Sequence, residues 1–372
     1  KSIKNSNPNI IDMYTRKLCE WILRKIFMPF HRYIQFYYFD KQVLKLVKLE
    51  PSKIYHSHDL NTLRVASKAA KVHKSKLVYD SHELYVDRNR SVPASKIKKF
   101  MLKKYEKKLI RKADLSITVN ESIAELLAKR YNVKVPVVVM NTPPKQDIMN
   151  KESNEKNLRQ ILKVDENHTL ALYTGAITYN RGLEKLVESL KYIENVHLVM
   201  MGYGTDEYLH QLYTIAEESG VENRYSKFGP VPSEDVPSYA SSADLGIAPI
   251  QNSCLSYYLC SPNKVFEYIQ AGLPVIASDF PELRKIVVGK EIGYVFDPEN
   301  PKNIADTILQ LINDKERLIK IQENCKKVVN EYNWENESFK LKEAYHLLLP
   351  VKNDNDVIKD ILATEKNSIV AE

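Results

Sequence analysis

The strongest constraint on this chain is an alternation. Short runs rich in β-branched residues are each followed by a turn and by enough residues for a helix. In the first part, strands are expected at Ile54–Ser57, Leu77–Asp80, Leu115–Val119 and Val135–Met140. A second series is expected at Leu170–Thr174, Val196–Met201, Tyr225–Phe228, Leu245–Pro249, Pro274–Ser278 and Tyr294–Phe296. Strands separated by helices pair in parallel through crossovers, so both sheets are buried beneath helices on their two faces. The fold class is α/β, with two doubly wound domains.

The boundary lies in Asn141–Thr169, where two prolines precede a polar, acid-rich run at Lys151–Asn157. The expected organisation is a first domain over residues 1–145, a linker over 146–168 and a second domain over 169–332. An amphipathic helix within 333–350 is expected to pack back towards the first domain, followed by a polar tail over 351–372. The second domain has six expected strands and the first only four. A doubly wound sheet of the dinucleotide type is built from two three-strand halves. Because the chain does not begin with Met, its first domain is expected to be incomplete, the missing strands lying before Lys1.

Charge divides along the same boundary. The chain of 372 residues carries a net +8, yet residues 1–150 hold 31 basic and 13 acidic side chains, a balance of +18, and the remainder carries −10. Domains of opposite charge suit different partners. Residues 16–48 combine Lys17, Arg24, Lys25, Arg32, Lys41, Lys45 and Lys48 with Trp21, Phe27, Phe30, Tyr33, Phe36 and Tyr37 in a helical pattern broken at Pro29. That pattern, with the basic run Lys96–Lys112, suits an anionic membrane surface as well as it suits solvated faces over a core. Nucleic acid is not expected, since no base-stacking sheet motif or basic helix-turn-helix accompanies the charge. No run approaches the length of a spanning helix. The four cysteines, Cys19, Cys254, Cys260 and Cys325, show no metal-ligand spacing and suit a reducing, cytoplasmic compartment.

The most informative motif is Ser261-Pro-Asn-Lys-Val-Phe-Glu267-Tyr-Ile-Gln-Ala-Gly272, followed by the strand at Pro274. Ser261 is expected to cap a helix, Pro262 to open its first turn and Gly272 to end it. The unpaired N–H groups of such a helix start favour phosphate. Asn263, Lys264 and Glu267 share one helix face, and Glu267 lies about 6 Å along the axis, where its carboxylate can accept from two ribose hydroxyls. His82 follows the strand Leu77–Asp80, at the end of the sheet where doubly wound folds bind ligands. A neutral imidazole there can hydrogen-bond a sugar hydroxyl near pH 7. His56 and His58 are expected on opposite sides of their strand, and no metal is expected there.

The block Pro262–Ser278 resembles the donor-binding signature of family 4 retaining glycosyltransferases of the GT-B fold. Further blocks resemble the family in the same order: Ile54–Asp59, Lys76–Glu83, Ala113–Asn120, Val138–Asn141, Leu172–Glu184, Val199–Gly204 and Ala243–Pro249. Together they span about residues 50–345, and blocks in the right order are far more specific than any one motif. The resemblance implies two Rossmann-like domains facing a cleft. It implies that Glu267 binds the donor ribose, that Arg181 neutralises the pyrophosphate, and that Gly175 and Gly202 let backbone approach the phosphates. It implies that His82 lies beside the reacting sugar, with His58, Asp59 and Glu83 on the acceptor side. Two positions depart from the family pattern: Leu259 stands where an acidic residue is common, and Ala176 where a basic one is common. That leaves Arg181 and Lys264 as the phosphate cations.

The expected chemistry is transfer of a sugar, with retention, from a UDP- or GDP-sugar to a glycan or lipid-linked acceptor at the cytoplasmic face of a membrane. No cofactor is expected, and no metal, because no DxD carboxylate pair is placed to hold Mg²⁺. Fixed cations and a helix amino end can stabilise the departing diphosphate. Two other readings stay open: a GT-B sugar-nucleotide epimerase, which needs no acceptor, and a degenerate, non-catalytic scaffold.

Overall fold

The computed structural model describes residues 31, 34–90, 92–146 and 156–349. Much of the basic aromatic pattern (Lys17 to Phe30, with Arg32 and Tyr33), the acidic part of the linker and the polar tail lie outside the described residues. A helix over 34–49, α1, leads into the first sheet. Four parallel strands stand in chain order: β1 (Ile54–His58), β2 (Lys76–Ser81), β3 (Leu115–Thr118) and β4 (Val137–Val138). Helices α2 (Asp59–His73), α3 (Lys96–Ile110) and α4 (Glu121–Tyr131) cross between them. Strand β4 is shorter than the expected Val135–Met140, since Pro136 cannot donate to the ladder. Only Val139 continues the pairing, donating its N–H to the Thr118 carbonyl at 2.9 Å.

The second sheet has six parallel strands: β5 (Thr169–Thr174), β6 (Val196–Met201), β7 (Tyr225–Phe228), β8 (Leu245–Ala248), β9 (Val275–Ser278) and β10 (Gly293–Phe296). Their spatial order is β10-β9-β8-β5-β6-β7. The direction of winding reverses between β5 and β8, which opens a crevice at their carboxyl ends. Around the sheet run α5 (Leu158–Ile161), α6 (Leu183–Ser189), α7 (Asp206–Glu218), α8 (Val236–Ala240), α9 (Leu255–Tyr258), α10 (Asn263–Gln270), α11 (Pro281–Val287), α12 (Pro301–Asn313) and α13 (Lys315–Val328). Several start where the sequence supplies a cap: the side chains of Asn120, Thr205 and Asn300 accept backbone N–H groups of α4, α7 and α12.

Each sheet carries its own apolar core. One is centred on Leu63, Tyr79, Ile110 and Leu127, the other on Leu172, Val199, Ile247 and Ile276. Helix α14 (Trp334–Leu348) joins the two. Its fully buried Glu337 accepts the Met140 N–H at 2.9 Å, and its Tyr345 hydroxyl meets the His56 ring. The seam between the sheets is polar. The Leu84 N–H donates to Ser256 Oγ (3.2 Å), Asn89 Nδ2 to the Tyr257 hydroxyl (3.2 Å), and Ser122 Oγ to the Glu282 carboxylate. Leu259 also faces this seam, packed against the first domain's core while its carbonyl accepts from Asn120 Nδ2 at 2.7 Å.

Candidate active site

A cavity of about 430 Å³ lies between the two sheets. One wall carries His56, His58, Asp80, His82 and Glu83, and the other Arg181, Tyr257, Ser261, Pro262 and Asn263. The strands position the first wall. In the register of β1 and β2, His58 stands directly opposite Asp80. The expectation that His56 and His58 face opposite sides is wrong: residues two apart on a strand share a face. Their rings stack at 4.5 Å, and His82 closes the group edge-on to His58 at 5.0 Å.

One carboxylate serves all three rings. Asp80 Oδ2 lies 3.2 Å from His56 Nε2, 3.3 Å from His82 Nε2 and 3.5 Å from His58 Nδ1. Burial alone would raise the Asp80 carboxyl, yet the hydrogen bonds and charge of His56 and His82 hold it well below the usual carboxylate range. The hydrogen bond to Asp80 raises the His82 imidazole against its own burial, whereas burial and the neighbouring His56 lower His58. Asp59 stands back from the cavity. Its backbone is left-handed (φ 58), and its Oδ1 accepts the His82 N–H at 3.2 Å, so it fixes the loop that carries His82. Glu83 lines the cavity, raised by burial despite Arg88 at 3.5 Å.

On the opposite wall the start of α10 points at the switch point. Pro262, not Ser261, occupies the cap position, and the Ser261 hydroxyl accepts from Asn120 Nδ2 at 2.9 Å instead of closing the helix. The first N–H groups of α10 are left without a side-chain cap. Arg181 packs over the Tyr257 ring at 4.9 Å, and its buried Nε has no hydrogen-bond partner. Lys264 is buried, with Nζ 3.5 Å from the centre of the Tyr173 ring. Neither cation makes an ion pair among the described residues. Burial first, and the nearby Arg181 charge second, hold the Lys264 ammonium well below the usual lysine range. A guanidinium and a buried amine, neither in an ion pair, beside an open helix start make a site that an anion completes.

Gly175, Lys264, Glu267 and Gly202 are not lining residues of the cavity; they adjoin it at the end of β5. Gly175 has φ 111, and a side chain there would approach Lys264 Nζ. Gly202 serves Gly175: a Cβ on it would sit 1.9 Å from the Gly175 carbonyl oxygen. Asn263 is exposed at the cavity mouth. The Glu267 carboxylate, raised by burial, accepts from Thr174 Oγ1 at 3.0 Å. Sequence reasoning assigned no part to Asp80, Tyr257 or Tyr345. Only Asp80 carried a signal, being the polar residue at the carboxyl end of an otherwise apolar strand.

Residues 154–328 match the family model described as glycosyl transferases group 1, and residues 14–143 match glycosyltransferase family 4. The chain belongs to the family 4 glycosyltransferases. An uncharacterized glycosyltransferase of Methanocaldococcus jannaschii is 26% identical over 79% of this chain and 75% of its own length. Chitobiosyldiphosphodolichol beta-mannosyltransferase of Candida albicans is 26% identical over 63% of this chain but only 54% of that relative. The Anabaena protein HepE, solved in complex with UDP, superposes with a TM-score of 0.68 at 18% identity, over 82% of this chain and 81% of its own. The fold of this glycosyltransferase is therefore GT-B, two Rossmann-like sheets facing a cleft.

Proposed function

We propose that this glycosyltransferase moves a sugar, with retention, from a UDP- or GDP-sugar to a glycan or lipid-linked acceptor. The observation that carries the reading is the pairing of two walls across one cavity. Arg181, Lys264 and the open start of α10 wait for a diphosphate on one side, and the histidines around Asp80 stand on the other. In this reading Arg181 and the α10 N–H groups stabilise the charge that develops on the departing diphosphate. Glu267 holds the ribose hydroxyls, Gly175 lets the backbone close on the phosphates, and Gly202 makes room for Gly175. His82 hydrogen-bonds the reacting sugar, with Asp80 and Asp59 fixing its ring and loop. His58 and Glu83 flank the acceptor. The phosphates need no metal, since the cations are supplied by side chains.

A lipid-linked acceptor draws support from the relative whose name carries a dolichol diphosphate. It draws support also from α3, where exposed Ile97, Phe100 and Met101 lie among lysines. Among the described residues no helix is long and apolar enough to cross a membrane. The reading is of a peripheral enzyme at a cytoplasmic membrane face. A thermal-shift panel of UDP, GDP and ADP with their sugars tests the donor site: one nucleotide diphosphate should raise the melting temperature of the full chain at saturation. Arg181→Ala should abolish that shift and lower the transfer rate about a hundredfold or more. No shift with any nucleotide would favour a non-catalytic scaffold, and sugar interconversion without acceptor would mark an epimerase.

A further inference from the structure

We propose that His56, His58 and Asp80 form a binding site for one divalent transition metal of the zinc class, distinct from the donor-phosphate site. One ring nitrogen from each histidine and one Asp80 oxygen lie within 4.8 Å of one another. Ligands at zinc distances of about 2.0–2.1 Å in tetrahedral array stand roughly 3.3–3.5 Å apart. His56 Nε2 and His58 Nδ1 lie 3.2 and 3.5 Å from Asp80 Oδ2, so two of the three ligand-to-ligand distances already have about that spacing on two adjacent strands. Two imidazoles and a carboxylate suit zinc and its neighbours, whereas Mg²⁺ and Ca²⁺ take oxygen ligands. Tyr345 supplies the outer contact such a ligand needs. In the tautomer with His56 Nδ1–H donating to the Tyr345 oxygen, Nε2 carries its lone pair towards Asp80, and a metal between the two would replace their hydrogen bond. His58 is 62% exposed in its side chain, so a metal has an entry path, and the fourth position opens on the cavity.

His82 lies beside this site rather than in it, 3.0 Å from His58 Nδ1 and 3.3 Å from Asp80 Oδ2. A bound metal takes both of those partners. Loading therefore slows transfer, a consequence that rests on the role given to His82 above. The site itself is tested without donor or acceptor. Full-length protein is titrated with Co²⁺, then with Zn²⁺. One equivalent of Co²⁺ should develop the intense visible bands of a low-coordinate ion, and Zn²⁺ should abolish them. His58→Gln and Asp80→Asn should each weaken Zn²⁺ binding at least about tenfold. His82→Gln, and replacement of Cys254 and Cys260 by Ser, should leave it unchanged. Since His58 is exposed, its variant should melt like the parent, which separates loss of a ligand from loss of the fold. Absence of the bands at one equivalent, or their survival in His58→Gln, overturns the site. A nucleotide thermal shift retained in the same samples shows that the donor reading has not failed with it.

Discussion

Lys264 is the residue whose surroundings most restrict what the cleft can bind. A buried ammonium that makes no ion pair is costly, and here burial and Arg181 depress its proton affinity more than the nearby Glu267 carboxylate restores it. For a base whose folded pKa lies below its unfolded value, stability is present above the unfolded pKa and is lost as pH falls through the folded one. A diphosphate in the site reverses the balance by favouring the charged amine. Nucleotide binding should therefore take up a proton at Lys264, and affinity should fall as pH rises through its depressed pKa. Calorimetry of the stabilising nucleotide over a pH series, in two buffers of different ionisation enthalpy, should give different heats where the unliganded amine is neutral. Lys264→Gln should make them equal and weaken binding by about 1.5–3 kcal/mol, the value of a hydrogen bond to a charged group. Equal heats in the parent protein at every pH would show that Lys264 does not change charge on binding.

At the scale of elements, the ends of β5 and β6 are held by two glycines in contact. The close approach of Gly202 to the Gly175 carbonyl leaves no space for a methyl group. Gly202→Ala should cost about 1–3 kcal/mol in urea unfolding, and should weaken nucleotide binding because the displaced Gly175 faces Lys264. Unchanged affinity in a folded Gly202→Ala protein would separate this turn from the donor site. Val196–Met201 was legible in the sequence to the residue because a buried parallel strand is a short apolar run between turns, and the edge strand Tyr225–Phe228 was legible through its terminal aromatics, only the first of them buried. The start of α10 was legible through Pro262, but the role of Ser261 was not. Its hydroxyl is taken by Asn120, 141 positions away, and no local pattern reports a partner so distant. The departure at Leu259 has the same origin: its side chain serves the seam between the domains. The histidine cluster lay half in view. The strand ends were recognisable, but assigning His56 and His58 to opposite faces hid their meeting at Asp80.

For the whole molecule, the uneven charge gains meaning from where it is exposed. Helix α3 carries Lys96, Lys98, Lys99, Lys103, Lys104, Lys107 and Lys108, and between them Ile97, Phe100 and Met101 are each more than half exposed. A helix that only covered a core would turn its apolar residues inward; here Leu109 and Ile110 do so, and the earlier turns do not. Basic residues near an anionic bilayer contribute about 1 kcal/mol each, and shallow apolar side chains add a part that salt does not screen. The full chain should sediment with phosphatidylserine-containing vesicles and only weakly with neutral ones. Raising salt from about 0.1 to 1 M, which shortens the screening length from roughly 10 to 3 Å, should release most of it. Lys98→Glu with Lys108→Glu should lower the partition coefficient at least about tenfold. Phe100→Ser with Met101→Ser should remove the binding that persists at high salt. Equal binding to neutral and anionic vesicles, or a salt-independent partition, would mean that the charge of the first domain serves an acceptor glycan directly rather than the surface that carries it.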